Sequence, residues 1–220
     1  MNVQAAYDHW SGSYDADENL TRDLDRTVTE SQLGGLRVKS LLELGCGTGK
    51  NSRFLASLAD RMAALDFSAA MMAQAQHKTT GKAVGFCRVD LTISWPFAEG
   101  AFELLSANLV LEHIQDLDFV FSEAGRALAE GGRFYLSELH PFRQYQGKKA
   151  IFRQEGETHE ITAFVHHLSD FLEAAAAHEF RLLELKEWWH AADQGKPPRL
   201  VTLLFEKQGV FTCDPGAQVP

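Results

Sequence analysis

The sequence predicts an α/β fold: a seven-stranded, mostly parallel sheet with helices on both faces and an antiparallel strand from a C-terminal hairpin. Three observations carry this expectation. Strand-like and helix-like segments alternate from Leu41 to Leu139, the pattern that builds parallel sheets through crossover helices. The apolar run Leu41-Leu42-Glu43-Leu44 leads directly into Gly45, Gly47 and Gly49, which reads as strand, tight turn and helix start. Two late strand-like segments, 181–189 and 200–206, are joined by a short stretch holding Gly195, Pro197 and Pro198. That connection is too short for a parallel crossover, so the pair is an antiparallel hairpin.

Taken in order, 41–44 is the first strand and 51–59 the first helix, with Phe54, Leu55 and Leu58 at helical spacing. Residues 62–66 form the second strand, and the Ala/Met-rich stretch 68–78 the next helix. Strands at 83–90 and 102–109 follow. Between the latter and the fifth strand, 133–139, lies an amphipathic helix at 117–129 with Leu117, Val120, Phe121, Ala124 and Leu128 on one face. Gly131-Gly132 ends it. Past Pro141 the pattern loosens into a polar insertion, about 142–165, read as a lid over the sheet end. Ser169 and Asp170 then open a helix at 171–178. Residues 1–38 are an N-terminal cap whose aromatics, Tyr7, Trp10 and Tyr14, read as packing, and the tail 214–220 lacks periodicity. One domain accounts for all 220 residues.

Composition narrows the function. The net charge of −9 and a pI near 5.4 argue against a phosphate-binding surface for DNA or RNA. No apolar run approaches the roughly 20 residues of a membrane span, and the N-terminus lacks a basic start and an apolar signal core. Cys46, Cys87 and Cys213 are too few and scattered for a disulfide framework or zinc site. A cytoplasmic protein with a small-molecule substrate, monomeric or a homodimer, is the expectation.

The glycine turn selects among nucleotides. A P-loop needs GxxxxGK followed by Ser or Thr, but Gly45 to Gly49 is one residue short and Asn51 follows Lys50. A dinucleotide turn needs GxGxxG, whereas the third glycine falls one residue early, leaving an NAD-dependent oxidoreductase as an alternative. The ExGxGxG run from Glu43 to Gly49, with Asp66 closing the second strand in LDFSAAMM, resembles the class I S-adenosylmethionine (SAM) dependent methyltransferases. The N-terminal YDHWSGSYD is similar to the YDxxAxxYD segment of the ubiquinone- and biotin-biosynthesis-like members, with Ser11 and Gly12 departing from it.

The resemblance spans nearly the whole chain and implies a Rossmann-like domain that transfers methyl groups to small molecules. It implies that Asp66 holds the ribose hydroxyls, that Met71 packs on the adenine and that Phe67 is a cofactor contact. Asp90 with Leu91 would hold the adenine amino edge, and Glu43, Gly45, Gly47, Gly49 and Asn108 would line the methionine end, with Tyr14 a further cofactor contact. GGRFYLSE would be the fifth strand. A noncatalytic SAM-binding scaffold subunit is the alternative of a different class.

Methyl transfer to an oxygen, or to a protonated amine, needs a base, and histidine is tuned for it near neutrality. His113 follows the fourth strand and His140 the fifth, so both are expected in the crevice at the strands' carboxyl ends. His166 and His167 are adjacent and point to opposite sides of an extended chain, which speaks against a shared metal. No metal is expected.

Overall fold

The computed structural model describes residues 3–147, 151–154 and 157–209. Cys213 and the tail 214–220 lie outside the described residues, as do parts of the insertion. Seven strands form one sheet: β1 (Val38–Leu44), β2 (Ala59–Asp66), β3 (Val84–Arg88), β4 (Phe102–Asn108), β5 (Leu128–Leu139), β8 (Phe180–Trp188) and β9 (Leu200–Lys207). β6 (Ile151–Gln154) and β7 (Glu157–Glu160) make a separate antiparallel hairpin within the insertion. The sheet order is β3-β2-β1-β4-β5-β9-β8. β1 through β5 pair in parallel, and β9 runs antiparallel between β5 and β8. The strand order turns back between β1 and β4, the switch point where such sheets open a crevice at their carboxyl ends.

Alternation along β1 assigns its side chains to two cores. Leu42 and Leu44 pack with Leu105, Phe121 and Phe134 beneath α5 (Leu117–Ala127) and α7 (Leu168–Ala177). Leu41 points the other way, joining Leu104, Leu33 of α2 (Leu20–Leu33), Leu55 of α3 (Ser52–Leu55) and Met72 of α4 (Ala69–Lys78). Helices therefore cover both faces. Side-chain caps start three of them: Asn19 accepts from the Thr21 and Arg22 amides, Ser68 from Met71, and Asp116 from Phe119.

Several boundaries differ from the sequence expectation, and two of the differences have local causes. The first crossover helix is only four residues long, because the Val38 amide bonds the Leu58 carbonyl at 2.9 Å and draws the chain into β2 already at Ala59. Gly131-Gly132 does not end a helix. The helix stops at Ala127, and the glycines lie inside β5 where its register against β4 shifts between Phe102 and Leu104. Among the described residues, no helix is long and apolar enough to cross a membrane.

Candidate active site

A cavity of about 350 Å³ lies over the carboxyl ends of β1, β2 and β4 and is covered by the N-terminal segment, whose helix α1 (Val3–Trp10) contributes Val3, Gln4 and Tyr7. Gly45 and Gly47 form its floor. At Gly45, with φ +67°, a Cβ would fall 2.4 Å from Val110 Cγ2, so only glycine lets the exits of β1 and β4 approach this closely. Gly49 serves a different purpose. A Cβ there would sit 2.8 Å from Ala75 Cα, so this glycine packs the turn on α4 and does not line the cavity.

Asp66 closes the second wall. Its Oδ2 accepts the Gly47 amide and its Oδ1 the Ser68 amide, both at 2.8 Å, which ties the two turns together while the carboxylate still borders the cavity. Phe67, Met71, Asp90 and Leu91 also line the cavity, with Asp90 Oδ1 held by the Thr92 amide and hydroxyl. Tyr14, Glu43 and Asn108 line it as well. Of the expected cofactor residues, Gly49 alone stands back from the void.

The electrostatics of the cavity are unusual. Asp25, Glu43 and Asp66 are all buried, and each carboxylate is hydrogen-bonded by neutral donors. Asn51 Nδ2 and Asn108 Nδ2 donate to Asp25 at 2.8 and 2.9 Å, and Ser52 Oγ donates to Glu43 at 2.6 Å. Burial raises the pKa of all three; Glu43, further pushed by Asp66 and Asp25, is raised to about 8. Arg22 supplies the buried cation. Its terminal nitrogens donate to the Tyr14 and Asp17 carbonyls and its guanidinium lies 3.9 Å from the Tyr14 ring centroid. Its Nε is buried with no hydrogen-bond partner. A buried donor left open at the edge of a cavity is a site for a ligand acceptor.

β4 delivers the reactive corner. Leu109 follows Asn108 at φ 52°, a left-handed conformation costly for leucine and held by its amide bond to the Ser137 carbonyl. The chain then enters the short 3₁₀ turn Leu111–His113, which brings His113 to the cavity wall. Its Nδ1 lies 2.9 Å from the Thr162 carbonyl and its Nε2 2.8 Å from the Tyr7 hydroxyl.

His140 is placed elsewhere. It is 1% exposed, caps α6 (Pro141–Tyr145) by accepting the Phe142 amide on Nδ1, and bonds Glu187 through Nε2 at 2.9 Å. Proline after it completes a helix start, so topology took the side chain to the strand end and capping turned it away from the crevice. Burial, opposed by Glu187, lowers its pKa. Neither 142–147 nor 161–165 contributes a residue to the lining of the cavity. That segment instead braces His113 from behind: the Phe164 amide bonds the Glu112 carbonyl at 2.7 Å and Gln144 reaches the Glu112 carboxylate.

Sequence reasoning missed Arg22, Asp25, Thr48 and Asn51, and read Tyr7 as packing. The signal for the first two was present. Arg22, Asp25 and Thr29 recur at helical spacing on the face that buries Val28 and Leu33, which places charge on the inner side of α2.

A family model described as a methyltransferase domain matches residues 42–136. Malonyl-[acyl-carrier protein] O-methyltransferase of Pseudescherichia vulneris is 31% identical over 137 residues, 62% of this chain and 53% of that protein. The Serratia marcescens protein of the same name is 27% identical over 212 residues, covering 94% and 77%. The chain thus spans about half the length of the first of these relatives. The fold is also that of the DhpI–SAH complex, with a TM-score of 0.74 at 23% identity, covering 94% of this chain and 95% of the other.

Proposed function

We propose that this chain, whose residues 42–136 match a methyltransferase-domain model, is a class I methyltransferase that transfers a methyl group from SAM to an oxygen or nitrogen acceptor on a small-molecule metabolite. The observation that carries the reading is the set of buried carboxylates Asp25, Glu43 and Asp66 around one cavity, hydrogen-bonded by neutral donors and, among the described residues, with no ion pair to any of the three. Such groups fit a cationic ligand, and a sulfonium with an α-ammonium is one.

The residues present suit that cofactor. Asp66 would accept the ribose hydroxyls by charge-assisted hydrogen bonds, with Phe67 beside it. Met71, Asp90 and Leu91 would hold the adenine. Glu43, the Gly45 and Gly47 backbone and Asn108 would line the methionine end, with Tyr14 above. Asp25 would face the ammonium and the open Arg22 Nε the carboxylate. When bound, the sulfonium supplies the methyl group and the driving force. The protein's part is to hold the acceptor in line, exclude water and, at His113, take a proton from the nucleophile. His113 remains the proposed base; His140, facing Glu187, is a support for the strand end.

The acidic composition and sparse cysteines support a cytoplasmic setting, without nucleic acid, for a monomer or homodimer. The test is incubation with methyl-labelled SAM and a metabolite extract. Label in a small-molecule product is the expected result. Tight SAM binding without any transfer favours a noncatalytic SAM-binding subunit, and hydride exchange with a bound dinucleotide favours an NAD enzyme.

A further inference from the structure

Tyr7 lies on α1 and His113 beyond β4, yet their polar atoms meet on the cavity wall at 2.8 Å. The direction of this hydrogen bond follows from the other ring nitrogen. His113 Nδ1 faces a backbone carbonyl, that of Thr162, which only accepts, so Nδ1 carries the hydrogen. In the neutral imidazole Nε2 is then the bare nitrogen, and the Tyr7 hydroxyl donates to it. The lone pairs of the Tyr7 oxygen stay available beside the void.

We infer that Tyr7 and His113 form a two-step proton relay for an acceptor hydroxyl, with Tyr7 as the group that touches the substrate. This deepens, and rests on, the methyl-transfer reading. As the acceptor oxygen bonds the methyl carbon and the carbon–sulfur bond breaks, the acceptor proton passes to the Tyr7 oxygen. The Tyr7 proton passes in the same motion to His113 Nε2. The products are a methyl ether, the neutral thioether and an imidazolium, which returns its proton to solvent after the products leave. Glu112 Oε1, 3.8 Å from Nε2, stabilises that imidazolium. Burial holds the Tyr7 phenol well above its ordinary pKa, so a free phenolate does not accumulate and the two transfers are coupled.

The substrate class follows. A relay is useful to an alcohol or phenol, which keeps its proton at neutral pH, and useless to a carboxylate, which has none to give. The bland reading of Tyr7 is an aromatic core residue. It does pack near Trp10 and Phe67, at centroid distances of 6.0 and 6.2 Å. Phenylalanine would satisfy that packing equally, so the hydroxyl is what separates the two readings.

The experiment measures methyl-labelled SAM turnover against a panel of phenols, aliphatic alcohols, carboxylic acids and primary amines. The unaltered protein should label hydroxyl compounds. Tyr7→Phe and His113→Gln should each lower kcat by about 100-fold or more, leave S-adenosylhomocysteine affinity within about twofold, and show no further loss when combined. A proton inventory in mixed H₂O/D₂O on the unaltered protein should be curved, reporting two protons in flight, and needs no variant to fold. Turnover of Tyr7→Phe within about threefold of the parent, a linear inventory, or transfer confined to carboxylic acids or amines overturns the relay while leaving methyl transfer standing. No transfer to any acceptor overturns both.

Discussion

The carboxyl edge of the sheet holds two clusters of buried charge that solve the same problem in opposite ways. At the β5, β8 and β9 end, Asp193 is 1% exposed and takes both hydrogen bonds of a bidentate Arg199, at 2.7 Å each, with Arg143 at 3.0 Å. At the β1, β2 and β4 end, Asp25, Glu43 and Asp66 are as deeply buried but rely on amides, asparagines and a serine. The titration behaviour splits accordingly. Arg199 holds the Asp193 carboxyl well below the usual carboxylate range, whereas burial lifts all three cavity carboxylates above it. A fully paired charge has no further partner to find. One left with dipoles alone beside a void is incomplete without a ligand.

The largest expected effect is on the paired side. Asp193→Ala should cost about 3–5 kcal/mol of unfolding free energy, because two arginines lose their buried partner. Chemical denaturation of the folded fraction reads this directly. SAM affinity of the folded protein should stay within about twofold. An affinity loss well beyond that would dissolve the contrast, since Arg199 also reaches Thr21 on the helix that carries Arg22 and Asp25. The next effect is on the open side. Asp66→Ala should weaken SAM binding by about 1.5–3 kcal/mol, the scale of a hydrogen bond to a charged group, as measured by calorimetry. Unchanged affinity would remove Asp66 from the ribose site.

This division also marks what the sequence could disclose. The sheet, its order of elements and the glycine turn were legible because they rest on local rules: alternation, spacing, and residues that tolerate positive φ. Asp66, Met71 and Asp90, which line the cavity, were singled out through the resemblance to a family pattern, the DxSxxM run among its marks. Arg22 and Asp25 were not read, since what makes them part of the site is the packing of α2 across the sheet, a contact from α2 to β5 and β9 far along the chain. His140 shows the converse. Its position at a strand end was read correctly, but there the side chain caps the helix that begins at Pro141 and so does not face the crevice. Gly49 is similar: the same spacing that marks a ligand-facing glycine also serves a helix packed at van der Waals distance.

The smallest effect tests whether the open carboxylates truly await a cation. Glu43, with its pKa raised to about 8, is protonated in the ligand-free protein at pH 6 and ionised in the unfolded chain above its ordinary value of 4.5. The folded state therefore holds the extra proton between those limits, and this contribution to stability, full below about 4.5, is lost as pH rises toward 8. A cationic ligand reverses the preference by favouring the ionised form. SAM should then bind more tightly at pH 8.5 than at pH 6, with proton release that appears as buffer-dependent heat in calorimetry. Glu43→Gln should remove the Glu43 share of that release, leaving affinity at pH 6 nearly unchanged and lowering it by about 1 kcal/mol at pH 8.5, the scale of an ordinary hydrogen bond and below that expected of Asp66. Proton uptake on binding, or a variant that loses affinity equally at both values, would mean that Glu43 is held neutral by Ser52 for packing alone, and that the two clusters differ in partners but not in purpose.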